Sequence, residues 1–235
     1  MSSNLPETKN NTLEKILFVV ATPIGNLQDI TIRAVNTLKE AQIVFAENPE
    51  TTRKLFSACG ISSRLIKYND HQPGLETRLA GIFSEINIAA LVSEAGTPCI
   101  SDPGYKIVNY CHENEIKVIP CPGPSAAAAL LSVCGFPLHN YRFCGFLSNK
   151  KIKRENQLTA LMATEKTTLV FYESPYRLRH FLEILAKIKE NARLAVGREI
   201  SKKFEEIIRG DVNKIRKIFE NKEVKGEFTL IIDNN

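Results

Sequence analysis

The chain has 235 residues, 43% hydrophobic and 24% charged, enough for one large domain or two small ones with a core that needs no disulfide or metal staple. That apolar content excludes disorder as the dominant state, and no apolar run reaches the roughly 20 residues of a membrane span. The net charge of +5 is uneven: residues 1–140 carry 11 Lys and Arg against 13 Asp and Glu, residues 141–235 carry 20 against 13, a bias that raises a polyanionic partner.

Met1–Thr12 is polar and reads as a frayed tail, not a signal peptide, so a cytoplasmic protein is expected. Ile16–Thr22 reads as a buried strand and Asp29–Glu40 as an amphipathic helix, with Asp29 as N-cap and Ile32, Val35 and Leu38 at helical spacing. Gln42–Glu47 follows as strand and Glu50–Cys59 as helix, closed by Gly60. Arg64–Tyr68 is a weaker strand, Pro73–Ser84 a helix, Ile88–Ser93 a strand, Gly104–Glu113 a helix and Lys117–Cys121 a strand. This alternation predicts a mostly parallel sheet with helices on its faces.

The second half changes character. Ser125–Val133 is a small-residue helix. Tyr141–Leu147 and Thr167–Glu173 read as strands flanking a helix over Ile152–Ala163, and Tyr176–Ile188 is another helix. Arg193–Glu199 and Phe204–Arg209 read as a hairpin, Asp211–Glu220 as a helix and Glu227–Ile232 as a last strand. Strands adjoining strands predict a mixed sheet. The expected organisation is therefore an N-terminal tail over 1–14, an α/β domain over 15–121 and a second over 122–235, the boundary lying near Cys121–Pro124.

Four predicted strand ends run into loops of small and polar residues: Thr22–Leu27, Ser93–Gly104, Pro122–Ala126 and Tyr172–Pro175. Glycine and proline turn the chain sharply and let a ligand approach the backbone. One such loop is only a turn; four at the carboxyl ends of strands predict one extended small-molecule site. GxxxxGK[ST], GxGxxG after the first strand, GxSxG and HExxH are all absent, which argues against P-loop, dinucleotide-binding, serine-hydrolase and zinc-protease chemistry. The six cysteines lack CxxC spacing and read as free thiols; no metal site is expected. The run SNKKIKR over Ser148–Arg154 puts four cations at the start of a predicted helix, where the helix dipole disfavours them. Lys150, Lys151, Lys153 and Arg154 therefore read as a grip for an anion.

Taken in order, VVATPIGNLQDITIRA (Val19–Ala34), LVSEAGTPCISDPGY (Leu91–Tyr105), PGPSAA (Pro122–Ala127), FYESPYRL (Phe171–Leu178), REISKKFEEIIRG (Arg198–Gly210) and KGEF (Lys225–Phe228) resemble the ribosomal RNA small subunit methyltransferase I family, of the tetrapyrrole methylase-like fold. The resemblance implies two α/β domains with S-adenosylmethionine in the cleft between them, usually as a homodimer. It implies 2′-O-methylation of a cytidine ribose in the decoding region of 16S small-subunit ribosomal RNA, with no metal and no membrane. By similarity the methyl donor should meet Pro23, the loop bearing Gly96, Thr97, Ile100, Ser101 and Asp102, and Ser125 with Ala126. Tyr172, Arg198 and Glu199, and Gly226 with Glu227 should close the site.

A 2′-hydroxyl is a poor nucleophile, so an acceptor for its proton is expected. Glu173 is that candidate, its alternative role being an ion pair with Arg177 or Arg198. The chain departs from the family's AEDTR at Glu47-Asn48-Pro49-Glu50 and from its YHEHN-like segment at Tyr68–Gln72. Relatives commonly continue past the last strand, whereas this sequence ends at Asn235, so RNA attraction is expected from the basic second half. Two other readings stay open: a methyltransferase of the same fold acting on a tetrapyrrole-like small molecule, and a non-catalytic rRNA-binding relative.

Overall fold

A computed structural model describes residues 14–163 and 166–235, so most of the expected tail lies outside the described residues. The described residues form two five-stranded sheets, each covered by helices on both faces. In the first, β1 (Ile16–Val20), β2 (Ile43–Ala46), β3 (Arg64–Lys67), β4 (Ile88–Val92) and β5 (Lys117–Cys121) run in the order β3-β2-β4-β1-β5. Every pairing in it is parallel. Residues of β2 are buried on both faces, as the unbroken apolar run IVFA requires.

α1 (Ile32–Glu40) and α2 (Pro49–Cys59) pack on one face through Leu38 and Phe56. α3 (Leu75–Glu85) and α4 (Tyr105–Glu113) pack on the other through Leu79, Phe83 and Ile107. The loops after β1 and β4 thus leave neighbouring strands toward opposite faces and open a crevice at the strands' carboxyl ends. The N-cap of α1 is Thr31, whose hydroxyl accepts from the Ala34 N–H at 3.0 Å, and not Asp29. The three residues Leu27–Asp29 form a separate 3₁₀ turn capped by Asn26, which delays the helix. Gly60 closes α2 in the left-handed conformation, φ 62°, as expected.

The second sheet is mixed, in the order β6-β7-β10-β8-β9. Its strands are β6 (Tyr141–Phe146), β7 (Thr168–Glu173), β8 (Arg193–Arg198), β9 (Glu206–Asp211) and β10 (Phe228–Asp233). β6 and β7 are parallel; every other pair is antiparallel. The side-chain period of two divides β7 cleanly. Leu169 and Phe171 face α6 (Lys151–Met162), α7 (Pro175–Ile188) and α8 (Val212–Glu220), while Val170 faces α5 (Ala126–Cys134). The last strand inserts between β7 and β8, with Phe228 opposite both Glu173 and Arg198. The start of β10 therefore reaches the sheet edge at which β7 and β8 end.

Candidate active site

Loops from both halves are locked together before any ligand enters. After β1, Thr22 exchanges backbone hydrogen bonds with Gly96 at 2.9 and 3.0 Å, tying the first loop to the one after β4. Gly96 has φ 80°, a region that suits glycine. Thr97 Oγ1 donates to the Pro124 carbonyl at 3.3 Å and adds the loop after β5. Cys99 and Ser101 both sit at φ 69°, unfavourable for residues with a Cβ, so this loop needs bracing.

One brace lies below the loop. Tyr68 donates to Asp70 Oδ1 at 2.5 Å, and Asp70 accepts the N–H groups of Gly104 at 3.0 Å and Lys106 at 3.2 Å. The Tyr68 oxygen also accepts the Ile107 N–H at 3.0 Å. Burial opposes the Asp70 charge, but these donors outweigh it and hold the carboxyl below its ordinary value. Another brace crosses between the halves: Ser201 donates to Asp29, and a Cβ on Gly145 would lie 2.9 Å from Ser101 Oγ.

The braced loops enclose a cavity of about 410 Å³ between the two sheets. Gly96, Thr97, Ile100, Ser101, Asp102, Ser125, Ala126, Tyr172, Glu173, Gly226 and Glu227 all line it, so most of the residues singled out from the sequence converge. Tyr172 is held by hydrogen bonds at Ser125 and the Ala127 backbone, and burial raises the pKa of its hydroxyl. Three predicted residues do not line the cavity. Pro23 faces a smaller neighbouring hollow with Thr22, Lys54 and Glu94. Arg198 donates to the Lys225 carbonyl at 2.7 Å and pairs with Glu206. Glu199 bonds Lys202 Nζ and accepts the Glu227 N–H, both at 2.9 Å. These last two hold the segment that carries Gly226 and Glu227.

Glu47 and Glu94, which sequence reasoning missed, also line the cavity. Asn48 caps α2 through Oδ1 and donates from Nδ2 to Glu94 Oε1 at 2.8 Å. The altered Asn48-Pro49 pair thus keeps a helix cap, with proline at the first helical position where it is tolerated. Asp102 is half-buried and surrounded by like charge. Burial, then Glu47, with smaller contributions from Glu94 and Glu227, push its carboxyl up to about 6 against partial relief from Ser93. Burial and Glu94 raise Glu47 as well. Such a wall favours a cationic guest.

Glu173 is 2% exposed. Its Oε1 accepts the Ser174 N–H at 2.8 Å and lies 2.7 Å from Arg177 Nε. Among the described residues its Oε2 has no hydrogen-bond partner, which is costly for a buried carboxylate oxygen. Arg177 also donates to Asn149 Oδ1 and lies 5.9 Å from the Phe146 ring centroid.

Next to Asn149, Lys150 stands at the N-cap position of α6 without a side-chain capping bond, while Lys151 and Lys153 occupy its first turn, all exposed. Arg154 differs. It is 5% exposed and donates to the carbonyls of Ser148 at 3.0 Å and Asn149 at 3.3 Å, with His180 Nδ1 3.0 Å away. It staples the loop and does not present its charge, which corrects the sequence expectation. Among the described residues no His, Cys, Asp or Glu group is arranged to hold a metal ion, and no helix is long and apolar enough to cross a membrane. The six cysteines are free.

The tetrapyrrole (corrin/porphyrin) methylase family model matches residues 16–216. Ribosomal RNA small subunit methyltransferase I of Halalkalibacterium halodurans is 41% identical over 220 residues, 93% of this chain and 76% of that one. The protein of the same name from Leptospira biflexa is 40% identical, covering 93% and 91% of the two chains. The chain belongs to the ribosomal RNA small subunit methyltransferase I family, within the tetrapyrrole methylases. A further member, from Escherichia coli O157:H7, is 42% identical over 93% of this chain and 78% of its own. The fold extends to solved structures. Uroporphyrin-III-C-methyltransferase from Thermus thermophilus superposes with TM-score 0.65 at 18% identity, covering 94% and 95% of the two chains. Cobalt precorrin-4 methyltransferase superposes with TM-score 0.66 at 13% identity, covering 92% and 94%.

Proposed function

We propose that this chain transfers a methyl group from S-adenosylmethionine to the 2′-hydroxyl of a cytidine in the decoding region of 16S small-subunit ribosomal RNA, acting in the cytoplasm as a homodimer. The observation that carries this reading is a cavity with acidic walls beside a rim with exposed lysines. The methyl donor bears a sulfonium and an ammonium against one carboxylate, a net positive charge that Glu47, Glu94 and Asp102 fit, Glu227 being already paired with Lys202 Nζ at 2.9 Å. Gly96, Thr97, Ile100, Ser101, Asp102, Ser125, Ala126, Tyr172, Gly226 and Glu227 would hold it, with Pro23, Arg198 and Glu199 supporting the loops from outside. When bound, it supplies a methyl group on a positively charged sulfur.

The residues of the chain then have little bond-making to do beyond orientation and proton acceptance. The same acidic wall repels phosphates, so the RNA backbone stays at the rim on Lys150, Lys151 and Lys153 while an uncharged ribose hydroxyl enters. Glu173 Oε2, buried and without a donor, accepts the hydrogen bond from that hydroxyl and takes its proton as the methyl is transferred. Arg177 and the Ser174 N–H hold the other carboxylate oxygen, which fixes the direction in which Oε2 points.

Incubating the protein with labelled S-adenosylmethionine and small ribosomal subunits, then mapping the label, tests the reading. Label on the 2′-oxygen of one 16S cytidine is expected. Label on a base or another RNA removes the substrate assignment. Binding without transfer to any RNA returns the tetrapyrrole-like acceptor or the non-catalytic reading.

A further inference from the structure

Two large aromatic side chains stand exposed at the mouth of the cavity, and the proposed chemistry inside does not use them. Phe146 ends β6, is 54% exposed and lines the cavity. Tyr176 is 95% exposed, one residue beyond the cavity-lining Pro175 in the first turn of α7. Phe146 is held by its neighbours, and Tyr176 is carried by the first turn of α7. The Phe146 ring lies 5.6 Å from Tyr172. Arg177, next to Tyr176, lies over Phe146 and bonds Asn149, the residue before Lys150. Aromatics and lysines are thus fastened to one frame. An exposed aromatic loses hydration-driven stability unless a partner covers it; an aromatic beside fixed cations matches a flat base joined to a phosphate.

We propose that Phe146 and Tyr176 form a stacking platform for unpaired RNA bases flanking the target nucleotide, while Lys150, Lys151 and Lys153 carry the adjoining phosphates. This rests on the RNA reading above and adds a requirement to it: the strand must be unpaired at the site, because a base inside a duplex has no free face. Stacking is indifferent to base identity, so the platform sets strand state and register and leaves sequence to other contacts.

The test is binding of a short fluorescent oligocytidylate strand to the full chain, followed by anisotropy over a salt series. Tyr176→Ala is expected to weaken binding about fivefold to a hundredfold without changing the salt slope, while Tyr176→Phe restores it. Phe146→Ala should act the same way, with Phe146→Tyr as the rescue. Lys150→Glu should instead lower the salt slope. Because Tyr176 is almost fully exposed, its truncation leaves the fold intact, which an unchanged melting temperature verifies. The inference is overturned if Tyr176→Ala binds the strand like the parent, or if pairing the strand into a duplex improves binding. It is also overturned if the variant loses affinity only for intact subunits, since the face would then meet a ribosomal protein. If the parent protein methylates subunits but Tyr176→Ala changes no RNA affinity, the platform fails while the enzymatic reading stands. If the parent binds no RNA, both fall.

Discussion

Replacing Asp102 with Asn should make the protein more stable and less able to hold its methyl donor. The Asp102 carboxyl is half-buried among Glu47, Glu94 and Glu227, and burial with these neighbours pushes its pKa up to about 6 from the ordinary 3.8. A native pKa above the unfolded one means that ionised Asp102 destabilises the fold. The full shift would correspond to about 3 kcal/mol; with the group partly open to solvent, about 1–2 kcal/mol is expected. That penalty is complete above pH 6, shrinks as pH falls through the native pKa, and vanishes below about pH 4, where both states are protonated. At this chain length it amounts to a rise of about 2–8 °C in melting temperature at pH 8.

Asn keeps an acceptor for Ser93 and nearly the same volume, so packing does not confuse the comparison. Thermal unfolding of both proteins from pH 4 to pH 8 measures the difference curve. Calorimetry with S-adenosylmethionine, run alongside, should show weaker binding by Asp102→Asn at pH 8, with the parent approaching the variant as pH drops below 6. A stability difference that stays flat across this range, or a variant less stable than the parent at pH 8, would falsify the account of the acidic wall.

Further substitutions probe separate parts of the design. Glu173→Gln should slow methyl transfer about a hundredfold or more while leaving donor affinity within a fewfold, read by single-turnover kinetics and calorimetry; equal losses in both would reassign Glu173 to binding. Changing Lys150, Lys151 or Lys153 to Glu should each lower the salt slope of RNA binding by at least about 0.7. Arg154→Ala should leave that slope nearly unchanged and instead cost about 1–3 kcal/mol of stability, because the Ser148 and Asn149 carbonyls lose their donor. Asp70→Asn should cost about 1–2 kcal/mol at neutral pH. Its native pKa is depressed, so the difference from the parent must fade as pH drops through the acidic range, and a difference that grows there would refute the role of Asp70 as a brace.

Local pattern carried the architecture well, because the β/α alternation and the apolar runs of β1, β2, β4 and β5 leave a parallel sheet as the natural way to bury them. Loops of small residues at strand ends pointed to the cavity for the same reason: parallel strands deliver their carboxyl ends to one edge. What escaped was set by distance in the chain. Glu94 lies within a loop singled out from sequence, yet its place in an acidic wall depends on Asn48, 46 residues earlier. The insertion of β10 between β7 and β8 has no local signal, since an apolar strand such as FTLIID reads the same in a central or an edge position. Arg154 departs from the sequence expectation for another reason. Charge at a helix start signals an anion grip only if the side chain is free, and the carbonyls that occupy Arg154 become visible once the Ser148–Asn149 turn is folded.

The charge imbalance between the halves turns out to describe the surface imperfectly. Three carboxylates of the cavity wall, Glu47, Glu94 and Asp102, come from the first half and two, Glu173 and Glu227, from the second, while the start of α6 carries three exposed lysines. The division that matters is therefore depth, not sequence: negative within, positive at the rim. A guest of net positive charge, such as the methyl donor, is drawn inward; a polyanion is drawn to the edge and stopped there. An RNA strand meets both fields at once, and the group that can pass inward at least cost is its uncharged ribose hydroxyl, which is the group the proposed reaction modifies. Reversing the rim charge should therefore weaken RNA binding without altering donor affinity, and neutralising Asp102 should do the opposite. Additivity in the double variant is expected, because two fields that act on different ligands have no shared interaction to lose.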